Sequence, residues 1–332
     1  MTSLDVPRGP RSGNVAFMPP APSPLDRDEV AAVKSRFAAL LAPAPGSAEP
    51  PEILEAAWPS SDSLPDLLDT VSNLKECLDS FRPLAPAQAA NLAEAFETEY
   101  TYDSNRIEGN TLTLQETAVV LRHGITVGGK TLREHLEAAN HHAALAEAKR
   151  LAAGASPFTE DALRALHATI LRGIDQEMAG CYRPHGCMIV GSRHVPPASH
   201  LVPRLMRECF EWFSAAEGSE HPVLLAAGMK ERIVTVHPFA DGNGRASRLA
   251  MNLLLVRAGY PVTTIASDRQ RRAAYYQALE AAQLGERPDA FRVFAAQAVR
   301  RSLLRYLAAV SDGASGAAGG LFFAELSART GK

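Results

Sequence analysis

The chain has no CxxC pair, no long apolar run and no strong charge of either sign. Its four cysteines, Cys77, Cys181, Cys187 and Cys209, have neither zinc-site spacing nor the density of a disulfide scaffold, which points to a reduced, cytoplasmic setting. The opening MTSLDVPRGPRSG lacks the apolar stretch of a signal peptide. No segment reaches the ~20 apolar residues needed to span a bilayer. A net charge of −3 gives no general case for binding nucleic acid or an anionic membrane. There are no internal repeats. What is present is 332 residues, 46% hydrophobic, enough to bury a substantial core in one large domain or two small ones.

Helical periodicity dominates, so the expected class is all-α. Residues 1–24, rich in Pro, Gly and Ser, read as disordered. Residues 25–152 read as a helical N-terminal region, with helices over 26–41, 64–81, 86–108 and 131–152. Between the last two, Thr113-Leu114-Gln115-Glu116 is a capping-box pattern whose helix ends near Gly124. Residues 155–309 form the expected core, opened by a helix capped at Thr159 and closed by helices over 268–284 and 288–309. Residues 310–332 are a small-residue linker and a tail that reads as a short helix. His141 and His142 are expected on a solvated helix face.

The densest chemistry is the run His237-Pro238-Phe239-Ala240-Asp241-Gly242-Asn243-Gly244-Arg245-Ala246-Ser247-Arg248. It lies between two strongly apolar helices, 222–236 and 245–258, the second stopped by Gly259 and Pro261. Glycines let backbone N–H groups converge where a Cβ would clash. A helix N-terminus beside them favours an anion. Arg245 and Arg248, at i and i+3, both reach that anion, and a guanidinium donates to phosphate in a planar fork. Asp241 supplies the hard oxygen that Mg2+ prefers. His237 titrates near neutrality and can take a proton from a hydroxyl.

This run resembles the motif of the Fic (Fido-domain) family, His-x-Phe-x-Asp/Glu-Gly-Asn-Gly-Arg-x-x-Arg, at every defined position. The resemblance covers about 81–306. It implies a Fic-type helical bundle with a small β-hairpin flap and an N-terminal helical regulatory region. It also implies transfer of AMP from ATP to a Ser, Thr or Tyr hydroxyl of a protein target. On that resemblance His237 is the general base and Asp241 holds Mg2+. Gly242, Asn243 and Gly244 form the anion nest, Arg245 takes the α and β phosphates, and Arg248 the γ phosphate. Phe239 anchors the loop in the core. Gly242 favours nucleotidyl transfer over the kinase-like branch of the family.

Two further segments fit. Ser104-Asn105-Arg106-Ile107-Glu108-Gly109 resembles the family's inhibitory pattern, Ser/Thr-x-x-x-Glu-Gly/Asn. Ser104 and Glu108 share a helix face. The resemblance implies that Glu108 pairs with Arg248 and takes the place of the γ phosphate. After Gly180-Cys181-Tyr182-Arg183, the run Met188-Ile189-Val190-Gly191 and Ser192–Pro197 reads as a short hairpin. It resembles the flap that registers a target by strand-like pairing; a hairpin that only packs on the core is the alternative. His194 and His200 read as flap or surface residues. The resemblance places Tyr275 and Tyr276 on a helix near the nucleotide base, where a ring could stack, with core residues as the alternative; Asn252 is expected to contact either adenine or the neighbours of its helix.

Three other readings stay open: removal of AMP by the same site, with Glu108 orienting a water; a donor other than ATP; and a non-catalytic ATP-sensing regulator. The target, and the assembly state (a homodimer among the options), are not written in the sequence.

Overall fold

The computed structural model describes residues 63–313. Among them are ten α-helices and no strand. The helices are α1 (Leu64–Asp79), α2 (Pro86–Ile107), α3 (Leu114–His123), α4 (Leu132–Ala153), α5 (Glu160–Leu171), α6 (Val202–Ala216), α7 (Pro222–Val236), α8 (Asn243–Arg257), α9 (Arg269–Gln283) and α10 (Ala290–Gly313). The helix expected over 26–41, the disorder expected for 1–24 and the tail helix lie outside the described residues.

Local chemistry sets most boundaries. Thr113 with Glu116, and Thr131 with Glu134, form reciprocal capping boxes that start α3 and α4. Thr159 and Asp268 cap α5 and α9 through their side chains. Gly124 stops α3 in the left-handed conformation. Proline stands in the first turn of α1, α2, α6 and α7, where its missing N–H costs nothing.

Helix α8 is the axis of the fold: twelve of its fifteen residues are buried, the pattern of a helix enclosed on all sides. It packs on α7, α4, α5 and α2, while α10 packs on α1, α7 and α9. One hydrophobic cluster runs from Leu67 in α1 to Val310 in α10. The helices before and after residues 152–155 therefore share a single core. Helix α10 continues to Gly313, past the expected end at 309.

Two expectations are corrected. His141 is not on a solvated face: it is 0% exposed, against the Tyr100 ring, and neither ring nitrogen has a hydrogen-bond partner. The alanine-rich α4 is enclosed by α2, α3, α5 and α8, so its histidine face is covered. His142 is half-buried. The flap segment forms a turn, closed by Ser192 N–H donating to the Ile189 carbonyl at 3.1 Å with Gly191 at φ 80°, but no strand ladder flanks it. A lone two-stranded ribbon is marginal in water, and Pro184, Pro196 and Pro197 remove donors from its flanks.

Candidate active site

Helix α7 ends at His237, whose φ of 51° makes it the one non-glycine residue with positive φ among those described. Such a backbone persists only where its surroundings hold it. Arg183, itself buried, supplies much of that hold. Its Nε donates to the His237 carbonyl at 2.7 Å, Nη1 to the His185 carbonyl at 2.8 Å and Nη2 to the Pro197 carbonyl at 2.5 Å. Its own N–H reaches the Pro238 carbonyl at 2.9 Å. One guanidinium thus ties the His237 loop to both sides of the flap segment. Burial lowers the His237 pKa below its ordinary value, opposed by the Val234 carbonyl and assisted by the Arg183 charge. Nδ1 lies 3.4 Å from that carbonyl, which favours a proton on Nδ1 and a lone pair on Nε2.

The loop is fixed from within. Phe239 is fully buried and stacks on His167 at 3.6 Å between ring centroids. His167 bridges the Asp241 carbonyl (2.9 Å) and the Gly180 N–H (3.0 Å); burial pulls its pKa down to about 4, so it stays neutral in this role. The Asn243 side chain pairs both ways with the Phe239 backbone at 2.8 Å. Asn243 therefore shapes the loop, its amide group being spent on that pairing. Gly242 takes φ 76°, and a Cβ there would press on His167 at 3.2 Å. The first helical bond of α8 runs from Ala246 N–H to the Gly242 carbonyl. The N–H groups of Asn243, Gly244 and Arg245 belong to the unpaired first turn.

Glu108 stands over this helix end. Its Oε1 is 2.8 Å from Arg248 Nη2, and a Cβ on Gly244 would collide with that same oxygen. Ser104 completes the contact, with its hydroxyl 2.9 Å from Arg248 Nε and its carbonyl 2.8 Å from Nη2. Arg248 is 1% exposed, whereas the Glu108 side chain keeps 34%. Burial alone would disfavour the guanidinium charge; Glu108, Tyr275 and Tyr100 outweigh it and hold the pKa above its usual value.

Asp241 is half-exposed. It accepts from Arg133 Nη2 at 2.8 Å and from the Gly242 N–H at 2.6 Å, and it lies 3.4 Å from Arg245 Nη2. Arg133 also reaches Glu137 at 3.2 Å. No group of three or more metal-binding side chains is found among the described residues. A single carboxylate suits a Mg2+ ion whose other ligands are phosphate and water, and Arg133 now covers that carboxylate.

The remaining candidates divide. Met188 and Val190 are strongly exposed and Ile189 half-buried, at the tip of the flap turn. Arg193 binds the turn to α9 through Glu280 (2.7 Å) and to Glu286 (2.7 Å). His194 Nε2 meets the Thr235 carbonyl at 2.9 Å, and His200 is exposed. Tyr275 is 1% exposed, packed on Lys230, Phe291 and Phe294, with no face for a nucleotide base. Tyr276 keeps an exposed ring, its hydroxyl 3.4 Å from the Ile107 carbonyl. Asn252 is buried and pairs with the Thr263 backbone (2.7 and 3.0 Å), so its amide is a loop tie. Sequence reading gave no role to Arg133, Glu137 or Lys230, and named Arg183 only as the lead into the flap. Lys230, fully buried between the Tyr275 and Phe291 rings, looks in sequence like any helical surface lysine.

Residues 157–255 match the Fic/DOC family. A protein adenylyltransferase Fic of Drosophila melanogaster is 34% identical over 247 residues, 74% of this chain and 49% of that protein. Its Drosophila virilis counterpart is 37% identical over 216 residues, 64% and 43%. The chain spans about half the length of the curated relatives it matches. Among solved structures, a Fic domain containing signaling protein from Bacteroides thetaiotaomicron superposes with a TM-score of 0.67 at 28% identity, over 74% of this chain and 98% of that one. Fic-1 from C. elegans gives 0.67 at 28% identity, over 75% and 73%. The motif, the helical bundle around it and these likenesses agree: residues 157–255 form a Fic/DOC-family domain.

Proposed function

We propose that the protein transfers AMP from ATP to a Ser, Thr or Tyr hydroxyl of a protein target, and that Glu108 holds this activity down. The observation that carries the reading is a set of buried guanidinium N–H groups without hydrogen-bond acceptors beside a neutral histidine. Arg245 Nε and Nη1 and Arg248 Nη1 have no hydrogen-bond partner among the described residues, and buried N–H groups in that state call for acceptors such as phosphate oxygens. They sit at a helix N-terminus. The relatives named protein adenylyltransferases support the same reading.

In this reaction the target oxygen attacks the α phosphorus, the bond to the bridging oxygen of the β phosphate breaks, and pyrophosphate leaves. The hydroxyl proton passes to His237 Nε2, which burial keeps unprotonated at neutral pH. Arg245 and the first-turn N–H groups of α8 offset charge on the phosphate oxygens. Asp241 would hold Mg2+, which when bound neutralises phosphate charge; Arg133 must first leave that carboxylate. Glu108 occupies the Arg248 fork and lies against Gly244, so the nucleotide's terminal phosphate competes with a carboxylate already in place. Tyr276, with its exposed ring, is the better placed of the two tyrosines for the base. The flap turn at Met188–Gly191 would present unpaired backbone to an extended target segment.

The test uses ATP labelled at the α phosphate. Glu108→Gly is expected to raise self-modification at least tenfold over the native chain, and His237→Ala in that background to abolish it. Labelling that is the same with and without Glu108 would overturn the inhibitory part; labelling that survives His237→Ala would overturn the mechanism.

A further inference from the structure

Glu137 lies on α4, outside every motif considered so far. Among the described residues two carboxylates come within ion-pair reach of the Arg245 guanidinium: Asp241 at 3.4 Å and Glu137 at 3.6 Å. They differ in exposure, Asp241 at 48% and Glu137 at 14%. They differ in duty as well. If Asp241 holds a metal, its oxygens are drawn toward that ion and away from Arg245. The arginine side chain, 3% exposed and short of hydrogen-bond partners at Nε and Nη1, would then keep Glu137 as its one remaining carboxylate partner in the protein to orient it before the phosphates arrive. Losing one partner of a buried charge is costly because the other is left uncompensated.

Glu137 is well held for this task. Its Oε2 accepts from Asn110 Nδ2 at 3.0 Å, and its Oε1 faces Arg133 Nε at 3.2 Å. Asn110 is itself buried, donating to the Glu134 carbonyl at 3.0 Å and accepting from the Leu112 N–H at 3.0 Å. The carboxylate thus stands on the turn that follows Glu108 and points its other oxygen at the phosphate clamp.

We propose that Glu137 is a positioning residue for nucleotide binding: it supplies the fixed counter-charge that holds Arg245 toward the phosphates once a metal ion engages Asp241. This rests on the reading of Arg245 as a phosphate clamp. It predicts an effect that depends on the metal, since without Mg2+ Asp241 still pairs with Arg245.

The experiment measures ATP binding calorimetrically to the 332-residue chain carrying Glu108→Gly, with Mg2+ and with a chelator. Glu137→Gln keeps an acceptor for Asn110 and removes only the charge. It is expected to weaken ATP binding about tenfold with Mg2+, the lower end for loss of a partner that orients a binding group, and clearly less with the chelator. Its melting temperature should stay near the parent's. Asn110→Ala, which removes one hold on the carboxylate but keeps its charge, should lose clearly less affinity than Glu137→Gln. Parent-like affinity in Glu137→Gln, an equal loss with and without Mg2+, or the same loss in Asn110→Ala would each overturn the proposal. If Glu137→Gln does not fold, Glu137→Asp, which sets the charge one methylene back, should lose a few-fold with Mg2+; no loss overturns it. Failure of the Glu108→Gly parent itself to bind ATP, or unchanged binding in Arg245→Ala, would instead sink the phosphate-clamp reading beneath it.

Discussion

The proposed base, His237, has two distinctive properties: a left-handed backbone at the end of α7 and a buried ring. Burial disfavours the imidazolium, so the folded pKa lies below the ordinary 6.5 and the neutral form prevails at pH 7. A base must be unprotonated to act. The rate of self-modification by Glu108→Gly should therefore rise from acid pH to a plateau, with its midpoint below 6.5. A midpoint at or above 7 would contradict the burial argument. At this scale the candidate loop was legible, since the residues from His237 to Arg248 are contiguous and each type has few other reasons to be there together. Ser104 and Glu108 were legible as a spaced pair, and the structure sets Glu108 2.8 Å from Arg248 across 140 positions of chain. Glu137 and Arg133 were not legible. A Glu or Arg on a helix has no sequence mark that tells an exposed i,i+4 pair from a partner of a buried guanidinium.

At the scale of elements, the loop between α7 and α8 works because other segments grip it. His167 on α5 holds it from beneath and Arg183 from the flap side, each through backbone carbonyls. Replacing Arg183 with Met would leave three carbonyls unmatched and free the loop. The expected cost is about 2–4 kcal/mol of stability for buried charge-assisted bonds. The kcat of self-modification in the Glu108→Gly background should fall at least tenfold, with a smaller change in the KM for ATP. Equal kcat at unchanged stability would show that the grip is idle. Helix starts were readable here because capping chemistry is local: Thr113, Thr131, Thr159 and Asp268 each act within three residues. The strands expected for the flap are absent among the described residues for the opposite reason. Extended segments become a ladder only with a partner, and the turn at Ile189–Ser192 is instead tied down by side chains, Arg193 to Glu280 and Glu286.

For the molecule as a whole, one core joins the helix bearing Glu108 to the helices of the Fic domain, and that core buries ionisable groups. His141 is the clearest case: burial, then the nearby Arg248 and Arg245 charges, push its pKa well below 6.5. The unfolded chain takes up that proton near 6.5 and the folded one does not. Stability is thus greatest above that pH and falls as the pH drops from about 6.5 toward the folded value. Melting temperatures measured between pH 7.5 and 5 should fall for the native chain and fall less for His141→Leu; parallel curves would mean that His141 titrates freely.

The sequence by itself determined the helices, their caps and the chemical inventory of the loop, because each depends on residues within a turn or two of one another. Only the tertiary structure decided which charges face each other: Glu108 with Arg248, Glu137 with Arg245, His141 against Tyr100. Such pairings are set by the packing of α2 and α4 around α8, and the Coulomb and desolvation energies that follow depend on separation in space rather than along the chain.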